Sequence, residues 1–220
     1  MISDFFEYGY LFIFRYIHVI AGITWIGMLY YFNFVQTEYF KEAEADAKKD
    51  AMAKLAPRAL WWFRWGAAFT FASGLYLFHK IGGFGNFEVM APIWVGAVAG
   101  TFMFLNVWLI IWPAQQIVLG MKEGDGPSNA AKAGLASRTN TLFSGPMLLG
   151  MLGSGHLNSA FSATEGGHAS VTGLSVALGL IVLLELNAIF GKQGPMTSVK
   201  GVIHMSLLLT VVIWAILNFI

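Results

Sequence analysis

The chain has 220 residues, of which 57% are hydrophobic and only 11% charged, with a mean hydropathy of +0.65 and a formal net charge of +1. A soluble domain carries about a quarter charged residues, so a water-soluble globule is excluded, and the balanced charge offers no footing for nucleic acid. There is no cysteine, which excludes disulfides, thiolate metal sites, iron–sulfur clusters and a haem attached through C-x-x-C-H.

Apolar runs of spanning length predict an all-α fold: a polytopic membrane helix bundle with about six transmembrane helices. The spans fall near 8–34, 59–79, 91–118, 131–155, 170–191 and 197–219, forming a single transmembrane domain over 1–220. Strand-period alternation is missing, which argues against a barrel. The first run, from Leu11 to Phe34, is too long for a signal peptide and contains Arg15 and His18.

The stretch 38–57 is polar, alanine-rich and mixed in charge, and is expected as a short helix on the cytoplasmic membrane surface. Its Lys41, Lys48, Lys49 and Lys54, with Arg58 behind them, place this loop inside by the positive-inside rule. Lys122, Lys132 and Arg138 near the third loop, and Lys192 and Lys200 near the fifth, agree with it. The expected location is a bacterial inner membrane, multi-pass, with both termini periplasmic. Pro113 and Pro146 fall inside spans and are expected to kink them.

Five histidines carry the candidate chemistry. His18 lies deep in the first span, where an ionisable side chain is costly and marks a functional position. Gly22 and Trp25 follow it at i+4 and i+7 and share its helix face. His79 and His156 end the second and fourth spans, His168 lies in an outer loop, and His204 lies in the sixth span. Imidazoles from separate helices can hold haem b, one or two groups, between them. His18, His156, His204 and His79 are the candidate iron ligands. Depth favours His18 with His204 and His79 with His156. Glu185 in the fifth span lies at a depth comparable to His204, so the two could pair or Glu185 could serve a proton path. Asn106, Arg138 and Asn140 are further intramembrane polar groups that need partners.

Three stretches resemble a known family. RYIHVIAGITWIGMLYYF (Arg15 to Phe32), LWWFRWGAAFTFASGLYL (Leu60 to Leu77) and SRTNTLFSGPMLLGMLGSGH (Ser137 to His156) resemble the urate oxidase N-terminal domain family. That family forms the membrane part of bacterial membrane-bound urate hydroxylases. The His–Trp–Gly spacing of the first span is also similar to that of HemJ-type and CopD-type membrane proteins. The resemblance carries the family pattern onto His18, Trp25, Gly27, Asn140, Pro146, Met151 and His156. It implies a haem-type redox role, and it favours His156 as the mate of His18.

The full-length enzymes resembled have a longer polar insert after the first helix and a fused cytochrome c domain. This chain has a short loop there and no C-x-x-C-H, so a separate cytochrome c is expected as electron acceptor. Three readings remain open. The first is a membrane haem b protein in electron transfer, oxidising a small substrate such as urate. The second is a non-catalytic integral subunit of a larger respiratory or monooxygenase complex. The third is a proton-coupled transporter. Whether the chain is itself an enzyme, an oxidoreductase of the urate hydroxylase kind, is open.

Overall fold

The computed structural model describes residues 2–85, 90–156 and 170–220, with side chains over 8–85, 90–155 and 170–220. Helices dominate, and no strand occurs among the described residues. The chain divides into two compact units, Met1–Phe84 and Gly85–Ile220.

In the first unit, α1 (Ile2–Tyr30) runs through a π-helical stretch, Tyr31–Gln36, into α2 (Thr37–Glu42). The backbone turns extended at Ala43. Then α3 (Ala45–Asp50), a second π stretch (Ala51–Leu55) and α4 (Ala56–Lys80) follow without a break. The polar stretch 38–57 is therefore not a separate surface helix: its two halves extend the long helices on either side. Alanine, glutamate and lysine are strong helix formers, and nothing between Ala45 and Leu55 interrupts them. Exposed pairs Lys41–Glu38 and Lys54–Asp50 decorate the extensions and contribute little.

The two long helices pack along each other. Their interface buries Trp25, Leu29, Phe63 and Ala67, and it closes on Gly66. A Cβ there would stand 3.1 Å from the Trp25 amide nitrogen and 3.3 Å from the Ala21 carbonyl oxygen. Small residues at such crossings let backbones approach in lipid, where dispersion replaces the hydrophobic drive.

The second unit comprises α5 (Ala91–Leu105), a π stretch (Asn106–Ile111), α6 (Trp112–Val118), α7 (Gly126–His156), α8 (Val171–Phe190) and α9 (Val199–Phe219). Ser170 and Ser198 cap the last two, accepting from the amides of Gly173 at 2.8 Å and Gly201 at 2.9 Å. The π stretch ends one residue before Trp112–Pro113. Proline lacks the amide donor and crowds the carbonyl four residues back, and the widened turn lies where that conflict falls. Pro146, by contrast, sits inside a helix assigned without interruption.

Among the described residues four helical segments are long and apolar enough to cross a membrane: Tyr8–Glu42, Ala91–Val118, Val171–Phe190 and Val199–Phe219. Helices α4 and α7 are as long but more polar. For α7 the reason is its position. It packs against α5, α6, α8 and α9, and Arg138, Thr139, Asn140, Thr141 and Ser144 are all buried. The stretch of α7 covered by its neighbours does not face lipid and can carry polar groups that find partners inside. The outward residues are apolar instead: Phe12, Ile23, Leu183, Leu207 and Val211 are exposed.

Helices α5 and α7 meet at two glycines. A Cβ on Gly150 would fall on the Pro92 carbonyl oxygen and 2.5 Å from the Gly96 nitrogen. One on Gly96 would lie 3.1 Å from the Met147 carbonyl oxygen and the Met151 amide. The pair sets a backbone-to-backbone crossing.

Candidate functional site

The first unit holds His18 in a defined cradle. Its Nδ1 lies 2.9 Å from the Thr70 carbonyl oxygen and 3.2 Å from Ser73 Oγ. A carbonyl only accepts, so Nδ1 carries the hydrogen and, in the neutral ring, Nε2 carries the lone pair. Among the described residues Nε2 makes no hydrogen bond.

The cradle follows from the sequence TFASG, Thr70 to Gly74. A helical carbonyl normally lies under the side chains one turn on. Here that turn offers Ser73 and Gly74, and a Cβ at position 74 would stand 3.0 Å from His18 Cε1 and 3.4 Å from Nδ1. Glycine opens the space through which the imidazole reaches the carbonyl. Ser73 Oγ donates to the Phe69 carbonyl at 2.6 Å and Thr70 Oγ1 to that of Gly66 at 2.7 Å. Both hydroxyls are thereby held.

Gly22 and Trp25 do share the His18 face. A Cβ on Gly22 would approach Thr70 Cγ2 at 3.8 Å, and Trp25 is 2% exposed. The Trp25 indole N–H is enclosed without an acceptor.

A histidine that ligates a metal almost always donates its other ring N–H to a carbonyl or carboxylate, which fixes the ring and raises its basicity. His18 meets that requirement: a fixed imidazole, a free Nε2 and a glycine beside it. The donor set therefore fits a haem iron. Among the described residues no three His, Asp or Glu side chains gather in a way that could hold a bare metal ion.

The other histidines stand differently. His79 is exposed, five residues beyond Gly74 on α4, about 8 Å of helix rise from the His18 cradle. His204 is exposed on α9. His156 is the last residue of α7; its side chain, and the whole of His168, lie outside the described residues. His18 and His79 belong to the first unit, His156 and His204 to the second.

The second unit has a buried polar core of its own. Asn140 Nδ2 donates to the Met103 carbonyl oxygen at 2.9 Å. Asn106 Nδ2 donates to Asn140 Oδ1 at 2.9 Å and to Glu185 Oε2 at 3.1 Å. Of the alternatives open for Glu185, the pair with His204 does not form: the carboxyl group bonds Asn106. The reason is helical phase. On α9 the inward residues are Val202, Ser206, Leu209 and Ile213, and His204, two residues from the first two, is turned about 200° away from them.

This core makes a stability prediction. Asn140→Ala strips the donor from a buried helix carbonyl and the acceptor from Asn106. The Met103 carbonyl still accepts the Asn106 backbone amide, so one group is left unsatisfied and the expected loss is about 1–3 kcal/mol, read as a lowered Tm of the purified protein.

A family model, urate oxidase N-terminal, matches residues 87–216, more than half of the chain. The chain belongs to the urate oxidase N-terminal family. No curated protein and no solved structure matches it. Of the three stretches that carried the resemblance, Ser137–His156 falls in the matched range, whereas Arg15–Phe32 and Leu60–Leu77 precede it. Asn106, Asn140 and Glu185 therefore lie within the matched range, and the His18 argument rests on its own geometry.

The cradle residues Thr70, Ser73 and Gly74 escaped the sequence reading, while Trp61, Trp62 and Trp65 of the same helix are outward and exposed. The missed signal was a row of small residues, Gly66, Thr70, Ser73 and Gly74, spaced three and four apart on one face.

Proposed function

We propose that this member of the urate oxidase N-terminal family is a membrane haem b protein that passes electrons, with His18 as an iron ligand through Nε2. The observation that carries the reading is the Nδ1–H bond to the Thr70 carbonyl, which leaves the other nitrogen as a fixed, unshared lone pair. Bound haem supplies one-electron redox chemistry, tuned by its axial ligand, burial and hydrogen bonding. The chain's own part is to fix the imidazole: Thr70 takes its hydrogen, Ser73 flanks it, and Gly74 gives it room. The reaction served is oxidation of a small substrate such as urate, with a cytochrome c as electron acceptor, in a bacterial inner membrane.

Purified protein expressed with ample haem should show a Soret band that shifts on dithionite reduction. It should also reduce cytochrome c when urate is added. A protein with no Soret band would refute the haem reading. A Soret band without urate-dependent reduction would refute the catalytic half and favour a haem-carrying subunit of a larger respiratory or monooxygenase assembly.

A further inference from the structure

The polar core of the second unit is acceptor-rich, and its hydrogen-bond directions are fixed by its covalent chemistry. The Met103 carbonyl can only accept, so Asn140 must present Nδ2 to it and Oδ1 to Asn106. Asn106 must then present Nδ2 to Asn140, and its second N–H goes to Glu185 Oε2. The amide is used up as a donor. Its own Oδ1 is left enclosed with no partner, on a residue 1% exposed.

Glu185 is 7% exposed and, among the described residues, receives only that one amide hydrogen. No cation among the described residues lies within ion-pair distance of it. Of the elements packed against α8, α5 carries no ionisable side chain, α7 contributes Lys132, Arg138 and His156, the last with its side chain outside the described residues, and α9 contributes Lys200 and His204; among the described residues no ion pair joins Lys132, Arg138, Lys200 or His204 to the carboxyl group. A carboxylate inside a membrane protein, held by one neutral donor, is under-compensated. Two acceptors therefore face inward short of hydrogen. A metal cation needs six or more oxygens for a calcium-like shell or an octahedron for magnesium, and this core does not offer them. A proton needs one.

We infer that Glu185, oriented by Asn106 and Asn140, is a proton-binding site in the membrane interior of the second unit, taking up and releasing a proton during the protein's working cycle. The inference is independent of haem at His18, which lies in the other unit.

Infrared difference spectroscopy of the purified full chain, titrated with acid and base, is the test. A carboxylic-acid C=O band should appear and vanish reversibly with pH, shift in D2O, and be lost in Glu185→Gln. In Asn106→Leu the band should remain but move to higher frequency, because its hydrogen-bond donor is gone. A wild-type protein with no titrating intramembrane carboxyl band, or a band that survives unchanged in Glu185→Gln, would overturn the inference. So would an unshifted band in a folded Asn106→Leu protein.

Discussion

Gly150→Leu is expected to prevent the second unit from folding, with little protein recovered as a monodisperse peak in size-exclusion chromatography. Even the first carbon of a side chain at this position lands on the Pro92 carbonyl oxygen and lies 2.8 Å from Gly96 Cα. These are backbone atoms on α5 and cannot rotate away. Overpacking a core costs about 1–3 kcal/mol where side chains can yield and more where they cannot, so Gly150→Ala alone should cost about 3 kcal/mol. Gly100→Ala is the control. Its new Cβ would meet only Met147 Cγ, at 3.8 Å, and Tm should change by little. A well-folded Gly150→Leu protein would show that the α5–α7 crossing is wrongly placed.

The second large effect is local. Gly74→Leu should lower haem occupancy by about 10- to 100-fold, the range seen when the outer-shell partner of a metal ligand is removed, while helix content stays unchanged. The new side chain would occupy the space of His18 Cε1 and Nδ1 and push the ring off the Thr70 carbonyl. Gly22→Ala, on the same face, would meet only a methyl group at 3.8 Å and should retain haem. Haem per protein, measured as the pyridine haemochrome, separates the two variants. Equal loss in both would mean that the face as a whole, and not the His18 cradle, governs binding.

Much of the helix layout could be read from hydropathy. The third span, expected at 91–118, is reproduced as Ala91–Val118, and the fifth and sixth agree within two residues. The second helix begins earlier than expected, because hydropathy is blind to a charged alanine-rich segment that continues a helix past the membrane surface. Depth along the chain likewise suggested His204 as the partner of Glu185, but depth is only one coordinate. The inward stripe of α8, Leu174, Ala177, Ile181, Glu185 and Ala188, and that of α9, which omits His204, decide the contact by rotation.

The candidate site was half legible. His18 stood out because an imidazole in an apolar run needs a reason, and Gly22 and Trp25 followed from spacing. Its anchor did not stand out, since a backbone carbonyl leaves no mark in a sequence. Only the small residues that uncover it, Ser73 and Gly74, could have signalled it. The buried asparagines were visible as costly groups needing partners. That they partner one another depends on three helices meeting, which no single helix pattern encodes.

The central claim is that His18 offers Nε2 to a haem iron while Thr70 holds Nδ1–H. Its most direct test is His18→Gly with imidazole added back. The expected result is loss of the reduced-minus-oxidised haem b spectrum in His18→Gly and its return when free imidazole occupies the vacated space. A His18→Gly protein that keeps the full wild-type spectrum without imidazole would contradict the claim.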